Sequence, residues 1–158
     1  MSATLREEIQ QQRPFRSLEE EAALNLYRTT QLLDDQNDAF YRQYGLTSTQ
    51  YNVLRILRGA GPEGLGRNDI RERLLSRMPD VTRLLDRMEE AGLVRRERSA
   101  SDRRCVPTVL TGKGRSLVDE LDEPVAALNQ RQFGHLTPGQ LYSLIETLTQ
   151  IRSRLNPE

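Results

Sequence analysis

The chain has 158 residues, enough for one full-sized domain, with 23 basic and 23 acidic side chains, one cysteine and one histidine. A single Cys105 excludes an internal disulfide, and with only His135 beside it there is no set of zinc ligands, so no metal and no cofactor is expected. No stretch approaches the roughly 20 apolar residues of a membrane span, and the opening MSATLREEIQQQRPF lacks the apolar core of a signal peptide, so a soluble, cytoplasmic protein without a membrane partner is expected.

In chain order, the polar first 16 residues are left to be ordered by a partner chain. Ser17, followed by Glu19, Glu20 and Glu21, suits a helix start. Ala22 or Ala23, Leu26, Leu33, Phe40 and Tyr44 then recur near heptad spacing, predicting a long helix over 17–44 closed by Gly45. In TSTQYNVLRILRGAG, Thr47 and Gln50 make a capping box for a second helix that buries Tyr51, Leu54 and Leu57 and stops at Gly59 or Gly61. After the loop GAGPEGLG, RNDIRERLLSR predicts a short third helix with Ile70 and Leu74 inward. PDVTRLLDRMEEAG predicts a fourth, with Pro79 in its first turn, Val81, Leu84, Leu85 and Met88 as its apolar stripe and Gly92 at its end. Pro79, Thr82, Arg83, Asp86 and Arg87 therefore lie outside the core.

LVRRERS and CVPTVLT, joined by ASDR, predict a two-stranded hairpin. Thr111 suits the cap of a fifth helix, with Leu117, Val118 and Leu121 inward, which Pro124 kinks or splits. Thr137 with Pro138 opens a last helix, where Leu141, Leu144, Ile145, Leu148, Ile151 and Leu155 repeat at three- and four-residue steps. The fold class expected is mainly α with a small β-hairpin.

The neutral total hides a local excess. Residues 67–104 carry eleven arginines against eight acids, while the flanks on either side carry more acids than bases. Lys113 is the single lysine, and the planar arginine fork suits phosphate oxygens and guanine edges, although codon composition also produces such a bias.

Three short helices, the third with an exposed basic face, followed by a hairpin with an arginine-tipped turn, have the order of a winged helix-turn-helix. VTRLLDRMEEAGLVRRERSASDRRCVPTVLTGKG resembles the signature region of MarR-family transcriptional regulators. The matching pieces are VTRLLDRMEEAGLV, Asp102 and Arg104 as the D-x-R of the wing, and LTGKG as the L-T-x-x-G start of the next helix. LTSTQYNVLRIL resembles the family's second helix. The order of elements is similar over 17–155, and the sequence recognisably so over 47–114.

The resemblance implies an arm and first dimerisation helix over 1–45, a winged helix-turn-helix DNA-binding lobe over 46–111 and C-terminal dimerisation helices over 112–158. It further implies a homodimer on double-stranded DNA with a pseudo-palindromic operator, and a repressor released by a small phenolic or amphipathic effector. The recognition helix would use Thr82 and Arg83 on phosphates or bases, with Arg77, Pro79, Asp80 and Arg87 around them. Asp80 either accepts from cytosine N4 or stabilises the helix start, and Arg87 either faces DNA or pairs with a neighbouring acid. In the wing, Arg104 with Arg103 would enter the minor groove, Asp102 holding an arginine in place, or the loop is a solvated turn.

Tyr27, Phe40, Tyr41, Tyr44 and Tyr51 either line an effector cavity or pack as core. Three features depart from the family pattern: Pro107 inside the second strand, which calls for an outward-facing edge position, Pro124, and the GRND opening of the third helix in place of a hydroxyl cap. Two alternatives stay open, a redox-responsive regulator acting through Cys105 and a winged-helix module that binds proteins. An enzyme is not expected: His135 has no nucleophile close in sequence, and Asp119, Glu120, Asp122 and Glu123 suit a solvated helix face.

Overall fold

The computed structural model describes residues 3–77, 80–97 and 106–156. Among these, eight helices and one antiparallel hairpin follow in the order α1 (Leu5–Glu8), α2 (Leu18–Arg42), α3 (Ser48–Ala60), α4 (Arg67–Arg73), α5 (Val81–Glu90), β1 (Val94–Arg96), β2 (Thr108–Leu110), α6 (Gly112–Glu120), α7 (Asp122–Phe133) and α8 (Pro138–Leu155).

The helix starts are set by short-range chemistry. Ser17 accepts the Glu20 amide at 3.2 Å, and Thr47 accepts that of Gln50 at 3.1 Å while the Gln50 side chain receives the Thr47 amide at 2.9 Å. Thr137 and Gln140 repeat this reciprocal box before Pro138, which as the first helical residue loses no hydrogen bond. The predicted fifth helix is two, α6 and α7, joined at Leu121. Pro124 falls in the first turn of α7, where an absent amide is no loss.

The expectation that the first 16 residues need a partner chain is corrected. Thr4 and Glu7 form a capping box for α1, Leu5 is buried, and the Arg6 guanidinium donates to the carbonyls of Gln11 and Gln12 at 3.1 and 2.8 Å. The stretch is organised by its own chain.

α3 is the central element. Val53, Leu54 and Leu57 are fully buried, because α2, α4, β2 and α6 all pack against it. One continuous core joins Phe40 and Tyr41 of α2, the apolar faces of α3, α4 and α5, Leu93, Val94, Val118, Leu121 and Leu128. Leu74, expected inside α4, follows it in extended conformation and is half-buried.

The strands pair Val94 with Leu110, Arg95 with Val109 and Arg96 with Thr108. A feature with no sequence signal flanks them: Leu65 exchanges two backbone hydrogen bonds with Thr108, at 3.0 and 2.8 Å, on the other edge of β2. Gly64 permits this, since its φ is +66° and a Cβ there would sit 2.3 Å from the Thr108 carbonyl oxygen.

Pro107 does not face outward as expected. Its carbonyl accepts the Glu97 amide at 2.9 Å, so it lies opposite β1 at a position where another residue would donate back. Lacking an amide, it ends the ladder at Thr108.

Gly114 of α6 passes so close under the Leu93 carbonyl that a Cβ would come within 2.0 Å of that oxygen. Gly114→Ala must therefore move backbone rather than a side chain, and we expect a loss of about 2 kcal/mol or more in unfolding free energy by urea titration. Gly112→Ala, where nothing lies within 4 Å, is the matched control and should change stability far less.

Candidate nucleic-acid interface

α5 divides its residues sharply. Val81, Leu84, Leu85 and Met88 are buried, and the opposite face carries Thr82, Arg83 and Arg87 into solvent, as the helical period requires. Arg83 is 76% exposed, and Arg77 is exposed ahead of the helix. Asp80 is the N-cap: its carboxylate accepts the Arg83 amide at 3.0 Å and lies 3.9 Å from the Arg83 guanidinium. Among the described residues neither Arg77 nor Arg87 forms an ion pair. Pro79 lies outside the described residues.

Three residues that hold this helix were not singled out from sequence. Asn52 of α3 accepts the Leu75 amide at 2.9 Å, fixing the turn between α4 and α5, on which Leu75 is 88% exposed. Arg67, first residue of α4, donates to the Thr82 hydroxyl oxygen at 3.1 Å. Arg96 of β1 reaches back with its guanidinium to Asp86 and Glu89, and Glu89 also accepts the Arg96 amide at 3.0 Å. Only the last had a local hint, an arginine a few residues beyond two acids on a helix face.

The wing residues Asp102, Arg103 and Arg104, and with them Cys105, lie outside the described residues. The base of the hairpin is described, and there the LTGKG segment stitches the end of α5 to the start of α6. The Thr111 hydroxyl donates to the Gly92 carbonyl and accepts the Gly114 amide at 3.1 Å, and the Lys113 ammonium donates to the Ala91 carbonyl at 2.8 Å.

The acid run at the α6–α7 junction is not simply a solvated face. Arg58 of α3 donates to Asp119 at 2.9 Å and to both carboxylate oxygens of Asp122 at 2.9 and 2.8 Å, bracketing the Leu121 kink. The hydrogen bonds it donates to Asp122 and Asp119 hold Arg58 above its ordinary pKa, and the same bonds hold the Asp122 carboxyl below its own. Glu120 and Glu123 remain exposed. Among the described residues no cluster of His, Cys, Asp and Glu is arranged to hold a metal ion, and no helix is long and apolar enough to cross a membrane.

Of the five aromatic candidates for a cavity lining, four pack together. Phe40 and Tyr41 meet edge to face at 5.0 Å, Phe40 and Tyr44 lie 5.3 Å apart, and Tyr41 stacks on Tyr51 at 4.6 Å. Burial pushes the Tyr41 phenol up to about 12 and raises that of Tyr51. Tyr27 is 67% exposed and stands apart. A cleft of about 620 Å³ opens beside this cluster, between the end of α2, the start of α3 and α5; Asp38, Arg42, Leu46, Thr47, Leu84 and Arg87 are among the residues that line it.

The family model described as the MarR family matches residues 46–106, from the loop before α3 to just short of the second strand of the hairpin. An uncharacterized HTH-type transcriptional regulator of Bacillus subtilis, YkoM, is 32% identical over 139 residues, spanning 85% of this chain and 88% of its own. The chain belongs to the MarR family. A MarR transcription factor from Planctomyces limnophilus is 39% identical over 87% of this chain and 99% of its own, with a TM-score of 0.66. MepR of S. aureus, solved in complex with DNA, is 26% identical over 82% and 96%, with a TM-score of 0.74. The chain is thus a winged helix-turn-helix protein of the class that regulates transcription by binding DNA, and α5 is its second helix-turn-helix element.

The Arg58 clamp gives a pH dependence with a definite sign. A carboxyl whose pKa is lower folded than unfolded contributes stability that is present above its unfolded value, near 3.8 for an aspartate, and is lost as pH falls through the folded value. The stability difference between the wild type and Asp122→Asn should be constant at neutral pH and shrink below about pH 4 in denaturant titrations. A difference that persists undiminished into strong acid would remove the ion pair as its source.

Proposed function

We propose that the chain is a repressor that binds a pseudo-palindromic operator as a two-fold homodimer and leaves it when a small effector binds. The observation that carries this reading is the divided surface of α5, apolar and buried on one side, with Thr82, Arg83 and Arg87 presented on the other. Asp80 serves the helix start rather than a base. Arg77 stands at the helix-turn-helix corner for a phosphate, and Asp102, Arg103 and Arg104 serve the neighbouring minor groove.

Dimerisation is supported by what the chain leaves uncovered. α8 has no buried residue: Ile145 is 60% and Leu155 73% exposed, and Leu18, Tyr27 and Leu32 on α2 are exposed as well. Apolar surface of this extent suits a second copy. On this reading residues 1–45 and 112–158 form the dimerisation part and 46–111 the DNA-binding part, with half-sites about 34 to 36 Å apart. MepR's structure with DNA supports the same mode here.

For the effector, the cleft between α2, α3 and α5 fits better than the aromatic set. Phe40, Tyr41 and Tyr51 are already filled with one another, whereas Arg42 and Arg87 line a space next to the recognition helix. An amphipathic or phenolic compound with an anionic group matches those guanidinium groups.

The test is binding of the purified protein to a fluorescent duplex of its own upstream intergenic region at two salt concentrations, beside an unrelated duplex of equal length. Specific binding that weakens steeply with salt is expected, because neutralised phosphates release counterions. Equal, salt-insensitive binding to both would point to a protein partner instead. Arg83→Ala and Arg104→Ala should each weaken operator binding by more than about 1 kcal/mol. Sedimentation of the Arg83→Ala variant should still give a dimer, and a wild-type monomer at micromolar concentration would refute the two-fold reading.

A further inference from the structure

The start of α4 is where this chain leaves the family pattern, and what stands there touches the recognition helix. Gly66 occupies the cap position with no side-chain hydrogen bond, and the next residue, Arg67, spends its guanidinium on Thr82, fifteen residues ahead. Both side chains are exposed, so nothing in core packing requires the contact.

Its chemical consequence follows from the hydroxyl group. A threonine hydroxyl has one proton and two lone pairs, and a guanidinium can only donate. With the Arg67 Nη1–H at 3.1 Å on one lone pair, the Thr82 proton is directed away from the cation, and the neighbouring charge strengthens it as a donor. Threonine in a helix divides between two side-chain rotamers, and this bond selects one of them. Thr82 thus faces solvent as a fixed donor instead of a group that turns to suit any partner.

We propose that Arg67 is a positioning residue that sets Thr82 as an outward donor, so that the recognition helix selects a base presenting an acceptor. In the major groove those acceptors are guanine O6 and N7, adenine N7 and thymine O4, and cytosine, which offers only its amino donor, is the base rejected. The inference rests on α5 being the DNA-reading helix. Sequence readers tied to a hydroxyl cap at this helix start would pass over Arg67, because the signal is the missing cap and its partner is far along the chain.

The experiment measures the affinity of wild type, Thr82→Val, Arg67→Ala, Arg67→Lys and the Arg67→Ala/Thr82→Val double variant. Each is titrated against the operator duplex and a set carrying single base-pair changes, at two salt concentrations. Thr82→Val and Arg67→Ala should each lose about tenfold on the operator. The double variant should lose no more than either alone, and both single variants should lose discrimination at the same base position. Arg67→Lys should recover part of the loss, and the salt slope should not change. Matching thermal unfolding curves would confirm that the exposed substitutions leave the fold intact.

Losses that add in the double variant, with a salt slope lowered by about one in Arg67→Ala, would mean that Arg67 binds a phosphate on its own account and would overturn the proposal. So would an Arg67→Ala protein with wild-type affinity and selectivity. If Thr82→Val binds normally while Arg83→Ala is weakened, the inference fails but the DNA-reading role of α5 stands. If neither variant is weakened, that role fails with it.

Discussion

The close approach of Gly114 to the Leu93 carbonyl is the constraint on which the rest of the arrangement depends. It sets where α5 ends relative to where α6 begins, and Thr111 and Lys113 then use that proximity to take the Gly92 and Ala91 carbonyls left open at the end of α5. α5 is thereby tied at its C-terminal end to the C-terminal helices, not merely packed against α4 and β1 in the core around α3. Arg58 continues the connection by fixing the α6–α7 kink to the same central helix. A motif that reads as a helix start in the sequence is, in the fold, the joint between α5 and the helices with uncovered apolar stripes.

A chain of zero net charge can present a basic face where the acids beside it are held by arginines. Asp86 and Glu89 lie on α5, where free carboxylates would repel the phosphates of the proposed function, but Arg96 holds both. Asp80 is satisfied at the helix start by the Arg83 amide, and Asp119 and Asp122 are held by Arg58 well away from α5. Arg77, Arg83 and Arg87 remain exposed as the charges available to a partner. The arrangement of charges decides the electrostatics here, and their sum does not.

The legible parts of this structure were those governed by neighbours three or four residues apart. The capping residues Ser17, Thr47, Thr111 and Thr137, the break before Pro124 and the buried stripe of α5 all follow from local periodicity and helix-end chemistry. What escaped the sequence reading joins distant positions. Leu65 with Thr108, Asn52 with Leu75, Arg67 with Thr82 and Arg58 with Asp122 have no fixed spacing to betray them, and each depends on packing that brings separate elements together. α1 escaped for a different reason, since four residues carry too short a period to read, and its order comes from a capping box and one buried leucine. The aromatic residues had two readings, cavity lining or packing, and Phe40, Tyr41, Tyr44 and Tyr51 take the second, ring against ring.

The position of the cleft bears on how an effector would act. Leu84 and Arg87 belong to α5, and Arg42 and Thr47 to the junction of α2 and α3, so one occupant would touch both α5 and the helix that carries part of the uncovered apolar surface. A ligand shifts an equilibrium only by the difference in its affinity for the two states, and an occupant seated at such a junction changes its contacts whenever α5 moves against α2. Arg87 makes this acute: in the proposed function its guanidinium is available either to phosphate outside or to an anion within the cleft, and one side chain cannot serve both. Competition for Arg87 would reduce DNA affinity even without a large movement, and any change in the spacing of two recognition helices in a dimer would add to it. In the proposed function the cleft therefore needs no separate relay to reach the DNA, because its wall is part of α5 itself.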